Sequence, residues 1–189
     1  MSARQDEIFR GLLALYLRRG FSDLTIEETA AELRCSKSTI YALADSREQL
    51  VRSAVVFFFR NAAEHIERKV AHEEDPVRRV TAYLQAVAEE LRPASTAFME
   101  DVAAFAPARE VYELNTRIAA GRVRELIEDG VRAGAFRDVP SVFVSEAVTV
   151  VMVAIQHREF AKVTGLTDAE AYSELAKLLI NGVRAAVTA

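Results

Sequence analysis

Two helix starts, at Thr25 and Ser36, lie too close together for the first helix to be long, and this pair constrains the fold most. Thr25-Ile26-Glu27-Glu28 is a capping box, with Thr25 at the N-cap and Glu28 at N3. The helix it opens carries Ile26, Thr29, Ala30 and Leu33 on one side. Leu33-Arg34-Cys35 has no cap of its own, and Ser36 then caps a second helix. That second helix keeps Ile40 and Leu43 for packing and turns Lys37, Ser38, Thr39 and Tyr41 outward. A helix of about two turns is not stable alone in water. A short polar helix held against a capped partner is built for display, not for a core.

Helix-turn-helix readers of DNA have this construction, with the first residues of the second helix meeting base edges. Ser36, Ser38 and Thr39 are compact donors and acceptors suited to base edges or a thymine methyl group. Lys37 and Arg47 can neutralise phosphates, and the Tyr41 hydroxyl can donate to one. Thr25 and Ser46 sit at helix N-termini, where free N–H groups favour an anion. Thr25, Ser36 and Ser46 are expected to cap their helices as well. The plainer alternative for Lys37 and Tyr41 is a solvated surface.

The remaining chain is punctuated as helices throughout. Helix one runs from about Arg4 to Arg19, with Ile8, Leu12 and Leu15 beside Phe9, Leu13 and Tyr16. Ser46-Arg47-Glu48-Gln49 is a further capping box and opens a long helix to about Ala71, apolar nearly all round. Asp75-Pro76 starts the next, which reaches Arg92. Pro93 and Pro107 bracket residues 94–106, and a helix from Ala108 to Ala133 stops at Gly134. Pro140 starts a helix that reaches Val163, with neither Gly nor Pro between Pro140 and Gly165, and Ala147 to Ile155 holds no charge. Its β-branched run admits a strand reading, but strands average about five or six residues, so helix is expected. Thr167-Asp168-Ala169-Glu170 caps the last helix, whose apolar side is Ala171, Leu175, Leu178, Gly182 and Ala185. The expectation is an all-α chain of about nine helices.

Composition excludes more than it selects. With 51% hydrophobic residues in 189, a substantial core is available, while seven Gly and four Pro leave little for an all-β fold. No uncharged apolar run approaches the ~18 residues of a membrane span. The acidic start Asp6-Glu7 is unlike a signal peptide, so a cytoplasmic location is expected. The single Cys35 excludes an internal disulfide and a cysteine metal cluster. His65, His72 and His157 are scattered, and Glu89-Glu90 and Glu100-Asp101 are neighbours whose side chains diverge on a helix. No metal, cofactor, catalytic residue or enzymatic activity is expected. The net charge of −4 argues against binding by bulk electrostatics. Between Leu33 and Ala44, however, there are bases and no acids, whereas Glu27, Glu28 and Glu32 lie on the preceding helix.

Residues 4–52 resemble the DNA-binding domain of the tetracycline-repressor (TetR) family. The landmarks are Leu17-Arg18-Arg19-Gly20-Phe21, Thr25-Ile26, Ala30-Ala31, Ser36-Lys37-Ser38-Thr39-Ile40-Tyr41 and Ser46-Arg47-Glu48-Gln49-Leu50. Gly130 to Arg137 also resembles the family's link between its seventh and eighth helices. Two departures stand out: Arg34 replaces the usual turn glycine, and Leu43-Ala44 replaces an aromatic or His followed by Phe. The first predicts a strained turn, since glycine alone takes positive φ without cost.

The resemblance implies a helix-turn-helix domain over residues 1–47 and a helical effector-binding and dimerisation domain over 48–189. It implies an effector cavity among helices four to seven. Phe58, Tyr83, Phe98, Met99, Val102, Phe105, Tyr112, Asn115 and Thr116 are the candidate lining, for a small hydrophobic molecule. For any single one of them, a plain core role outweighs pocket lining. It implies a homodimer through the last two helices, for which Val148, Val151, Met152, Ile155, Leu175, Leu178, Leu179 and Gly182 are the candidates. The implied partner is an inverted-repeat operator in double-stranded DNA. The implied role is a repressor, released when the effector tilts the helix beginning at Ser46. Two rival readings remain: a regulator of this fold with no small effector, and an interaction protein that has lost DNA binding.

Overall fold

A computed structural model describes residues 3–136 and 140–183. Ala185 and Arg137 lie outside the described residues. Those described form ten helices and no strand: α1 (Ala3–Arg19), α2 (Ile26–Glu32), α3 (Lys37–Tyr41), α4 (Arg47–Val70), α5 (Pro76–Leu91), α6 (Thr96–Ala104), α7 (Ala106–Arg132), α8 (Ser141–Gln156), α9 (Glu159–Thr164) and α10 (Asp168–Val183). The all-α class is as expected, and no described helix is long and apolar enough to cross a membrane.

The caps read from the sequence close as hydrogen bonds. Thr25 Oγ1 accepts from the Glu28 N–H at 3.1 Å, and the Glu28 carboxylate accepts from the Thr25 N–H at 2.9 Å. Thr167 and Glu170 repeat this at 3.2 and 2.8 Å. Asp75 accepts from the N–H groups of Val77 and Arg78 ahead of α5. Ser46 accepts from the Gln49 N–H at 3.1 Å, but Gln49 Oε1 reaches one residue further back, to the Asp45 N–H.

One expectation changes. The single helix expected from Pro140 to Val163 is two, because the chain breaks at Arg158, whose φ is +63°. Non-glycine residues take this left-handed conformation at a cost of roughly 1–2 kcal/mol. Arg158 is held there by a buried ion pair with Asp168, the first residue of α10. No Gly or Pro marks the break, so periodicity could not show it.

The described residues fall into two compact units. The first comprises residues up to Asn61 together with Pro93–Tyr112, and so holds α1–α3, most of α4, α6 and the start of α7. Its core includes Leu12, Leu15, Ile40, Leu50, Val51 and Val102, all at most 2% exposed. The second comprises Ala62–Arg92 and the chain from Glu113 onward. There α10 packs on α5 and on α8, over a core that includes Leu84, Leu126, Ile127 and Met152. Gly130 is glycine for a steric reason: a Cβ there would lie 2.1 Å from the Phe136 ring.

The Arg158–Asp168 pair yields a stability contrast. Removing one partner of a buried pair strands the other charge, so Asp168→Ala should cost about 3–5 kcal/mol. Glu146→Ala, which breaks an exposed pair with Arg124, should cost under about 1 kcal/mol. Urea unfolding of the two variants measures both; equal losses would contradict the role given to the buried pair.

Candidate nucleic-acid interface

Helices α2 and α3 meet through a turn of defined geometry. The Cys35 N–H donates to the Ala30 carbonyl at 2.9 Å and the Arg34 N–H to the Ala31 carbonyl at 3.1 Å. This nested pair is a Schellman closure, with Arg34 at the left-handed position, φ +50°. The sequence reading found no cap here because the residue that usually signals one, glycine, is an arginine. The strain expected of Arg34 is thus a real left-handed backbone.

Ser36 caps α3 by accepting from the Thr39 N–H at 3.2 Å. Its hydroxyl also lies 2.7 Å from Ser38 Oγ and 2.8 Å from Thr39 Oγ1. The three hydroxyls of the candidate reading edge therefore form one hydrogen-bonded cluster at the surface, and their protons can be redistributed toward an incoming acceptor or donor. Ile40 is buried and seats α3, whereas Lys37, Ser38 and Tyr41 are exposed. Lys37 forms an ion pair with Glu27 of α2. Its hydrogen bond holds the Glu27 carboxyl below the usual carboxylate range, assisted by Glu27's own backbone N–H and the lysine charge. Glu28 is lowered chiefly by the Thr25 backbone N–H and then by its hydroxyl.

The loop after α1 is gripped from two sides. Asp101 Oδ2, on α6, accepts from the N–H groups of Phe21 at 2.5 Å and Ser22 at 2.8 Å. Arg47, the first residue of α4, donates from Nη2 to the carbonyls of the same two residues at 2.5 and 3.2 Å. Gly20 makes this approach possible: its φ is +77°, and a Cβ would lie 2.5 Å from the Asp101 carboxylate. The Ser95 N–H donates to the Leu17 carbonyl at 2.8 Å, which ties the start of α6 to the end of α1. Phe21 anchors the loop among the rings of Tyr16, Phe98 and Phe105. Burial pushes the Tyr16 phenol up to about 12, against the opposing charge of Arg47. Sequence reasoning missed Asp101 as a positioning residue, because nothing in Glu100-Asp101 points to a backbone partner some eighty positions earlier.

Of the candidates for phosphate, Lys37 and Arg47 thus have partners within the protein. A third cation, Arg52 on α4, was not anticipated. It is exposed and lines a surface groove of about 320 Å³ with Tyr41, Ala42, Leu43, Ala44, Asp45, Gln49 and Ser53. Its signal was spacing alone: Gln49 and Arg52, three apart, share one side at the start of α4.

The other candidates divide between the units. In the first, Phe58 meets Phe98 edge-on at 5.8 Å, Phe59 stacks on Tyr112 at 4.8 Å, and Met99 and Val102 are buried with them. Phe105 is half-buried against Phe21. In the second, Tyr83 and Thr116 are buried and Asn115 is half-buried. Thr116 Oγ1 and Gln156 Nε2 are buried polar atoms without a hydrogen-bond partner among the described residues. Among the dimerisation candidates, Val148, Met152, Ile155, Leu175 and Leu179 are packed inside the second unit. Val151 is half-buried, and Leu178 and Gly182 are exposed. Phe143 and Val150, which the sequence reading did not single out, are exposed on α8 at 71% and 66%. A helix apolar nearly all round does not reveal which face its own subunit covers.

Comparison with known proteins finds likeness in structure and not in sequence. No family model matches the chain, and no curated protein matches it. Solved structures do. A protein from Saccharomonospora viridis, described as a transcriptional regulator and solved in complex with choline, superposes with a TM-score of 0.78 at 16% identity, covering 98% of this chain and 100% of that one. A TetR transcription regulator from Haloarcula marismortui gives 0.75 at 19% identity, with the same coverage. A regulator of the TetR/AcrR family from Thermobifida fusca gives 0.68 at 19%, covering 97% and 100%. The chain has the fold of TetR-family transcriptional regulators along nearly its whole length.

Two substitutions at left-handed positions should act in opposite directions. Arg34→Gly relieves the Schellman turn and should stabilise the protein by about 0.5–1 kcal/mol. Gly20→Ala introduces both φ strain and the clash with Asp101, and should cost more than about 2 kcal/mol. Denaturant titration reports both; a neutral Gly20→Ala would contradict the clamp geometry.

Proposed function

We propose that this chain is a TetR-family, homodimeric, sequence-specific DNA-binding regulator of transcription, acting as a repressor. The DNA-binding domain is residues 1–47, and residues 48–189 carry effector response and dimerisation. The observation that carries the reading is the exposed edge of α3. Lys37, Ser38 and Tyr41 point outward from a five-residue helix that is seated by Ile40 and capped by Ser36. Ser36, Ser38 and Thr39 read base edges, Lys37 and Tyr41 meet phosphates, and the N-termini at Thr25 and Ser46 complement the backbone charge. Arg47 adds its charge from the loop clamp. On binding, Lys37 exchanges Glu27 for a phosphate, which moderates non-specific affinity.

Two such helices read one duplex face as an inverted repeat when the chain is a two-fold dimer. The contact proposed lies on the exposed side of α8 and α10, through Phe143, Val150, Val151, Leu178 and Gly182. Phe143→Glu and Leu178→Glu alter side chains that the single chain leaves exposed, so folding should survive while dimers dissociate in sedimentation. Variants that remain dimeric would move the interface elsewhere.

An effector is the finer part of the proposal. The Saccharomonospora viridis protein was solved with choline, and another protein of this fold, RolR, with resorcinol, at a TM-score of 0.58. A mainly apolar molecule fits the aromatic side chains of Phe58, Phe98 and Tyr112 among the candidate positions of the first unit. A second reading has its own support. The rings of Phe58, Phe59, Phe98 and Tyr112 fill space against one another, as they would in a regulator controlled without a small molecule. Choline and resorcinol are the first probes. A rise in melting temperature together with loss of operator affinity favours the effector, since a ligand that releases DNA must prefer the released form.

The DNA reading itself is tested by separating phosphate from base contacts. Lys37→Ala should weaken binding to every sequence and lower the salt slope by about one per subunit. Ser38→Ala should relax preference at particular base pairs by roughly 1–3 kcal/mol. If Lys37→Ala changes neither affinity nor salt dependence, α3 does not dock as proposed.

A further inference from the structure

The groove at the junction of α3 and α4 has a composition unlike the rest of the reading edge. Tyr41 to Ala44 line it together with Asp45, Gln49, Arg52 and Ser53. Gln49 has its Oε1 engaged by the Asp45 N–H at 3.1 Å, so its amide NH₂ remains the donor. Arg52 has no ion-pair or hydrogen-bond partner among the described residues, in contrast to Lys37 and Arg47. A groove of about 320 Å³ that brings together a phenol, a primary amide, a hydroxyl and an unengaged guanidinium suits a tetrahedral oxyanion. Asp45, which also lines the groove, opposes an anion and is the charge such an occupant must overcome.

We propose that this groove takes a phosphate of the DNA backbone, with Arg52 as its anchoring charge. The proposal rests on the reading that α3 docks on DNA, because Tyr41, the last residue of α3, forms part of the wall. A strand tracked by the exposed face of α3 would pass into the groove. Arg52, more than Arg47, then supplies the flanking backbone contact, since Arg47 is occupied by the carbonyls of Phe21 and Ser22. Asp45 acts as a selectivity charge: it lowers affinity for any polyanion that does not also satisfy the donors around it.

The test is a salt titration of duplex binding by the full chain, with melting temperature as the folding control. Arg52→Ala should leave melting unchanged, weaken binding to all sequences and reduce the salt slope by about one per subunit. That is a loss of about threefold in salt sensitivity between ~50 and ~200 mM for each phosphate released. Arg52→Lys should restore the slope. Asp45→Asn should shift the opposite way, tightening binding most at low salt. If Arg52→Ala keeps the full slope while Lys37→Ala loses its share, this proposal fails and the DNA reading stands. If the wild-type chain binds no duplex, both fail. A melting temperature raised by inorganic phosphate in the wild type but not in Arg52→Ala, with the duplex slope unchanged, would make the groove a free-anion site and overturn the DNA assignment.

Discussion

The seating of residues 20–22 on α6 is the constraint on which the first unit depends. A single carboxylate oxygen of Asp101 receives two consecutive backbone N–H groups, and Arg47 holds the two carbonyls of the same residues. Each bond to a charged group contributes about 1.5–3 kcal/mol when its partner is otherwise unpaired. Together they fix the exit of α1, and through it the position from which α2 departs. Neither α2 nor α3 is long enough to hold an orientation by itself. Their pose is inherited from the loop, from Ile40, and from the ring contacts of Phe21.

The same loop begins a chain of ring contacts that runs through the first unit. Phe21 touches Phe98, Phe98 touches Phe58, Phe58 touches Phe59, and Phe59 stacks on Tyr112. Edge-on and stacked aromatic contacts resist small displacements and repack in discrete steps. A shift of α6 would therefore be felt at Gly20 through Asp101 and at Phe21 through its ring.

Much of the fold was legible because helix punctuation is local chemistry. Thr25 with Glu28, Asp75 with Pro76, and Thr167 with Glu170 announce their helices within a few residues. The strained turn at Arg34 was legible only through the family resemblance, since no glycine advertises the Schellman closure. Two features were not legible, each because its cause is distant in the chain. Arg158 breaks a helix with no Gly or Pro, held by Asp168. Asp101 grips a loop that precedes it by most of the first unit. For the candidate site, residue type and local period put forward Ser36, Lys37, Ser38 and Thr39 as candidates, but not that Lys37 pairs with Glu27 or that Arg52 has no partner among the described residues. On α8, periodicity marked an apolar helix, and only burial separated Met152, inside, from Phe143 and Val150, outside.

The central claim is that two copies of this chain read duplex DNA with α3. Selection of bound duplexes from a random pool by the purified 189-residue chain tests it most directly. The account predicts an enriched consensus with dyad symmetry, its half-sites about one helical turn, ~34–36 Å, apart or a multiple of that. Enrichment should persist with Arg34→Gly and vanish with Lys37 and Ser38 both changed to Ala. A consensus without dyad symmetry, or no enrichment over the starting pool, would contradict it.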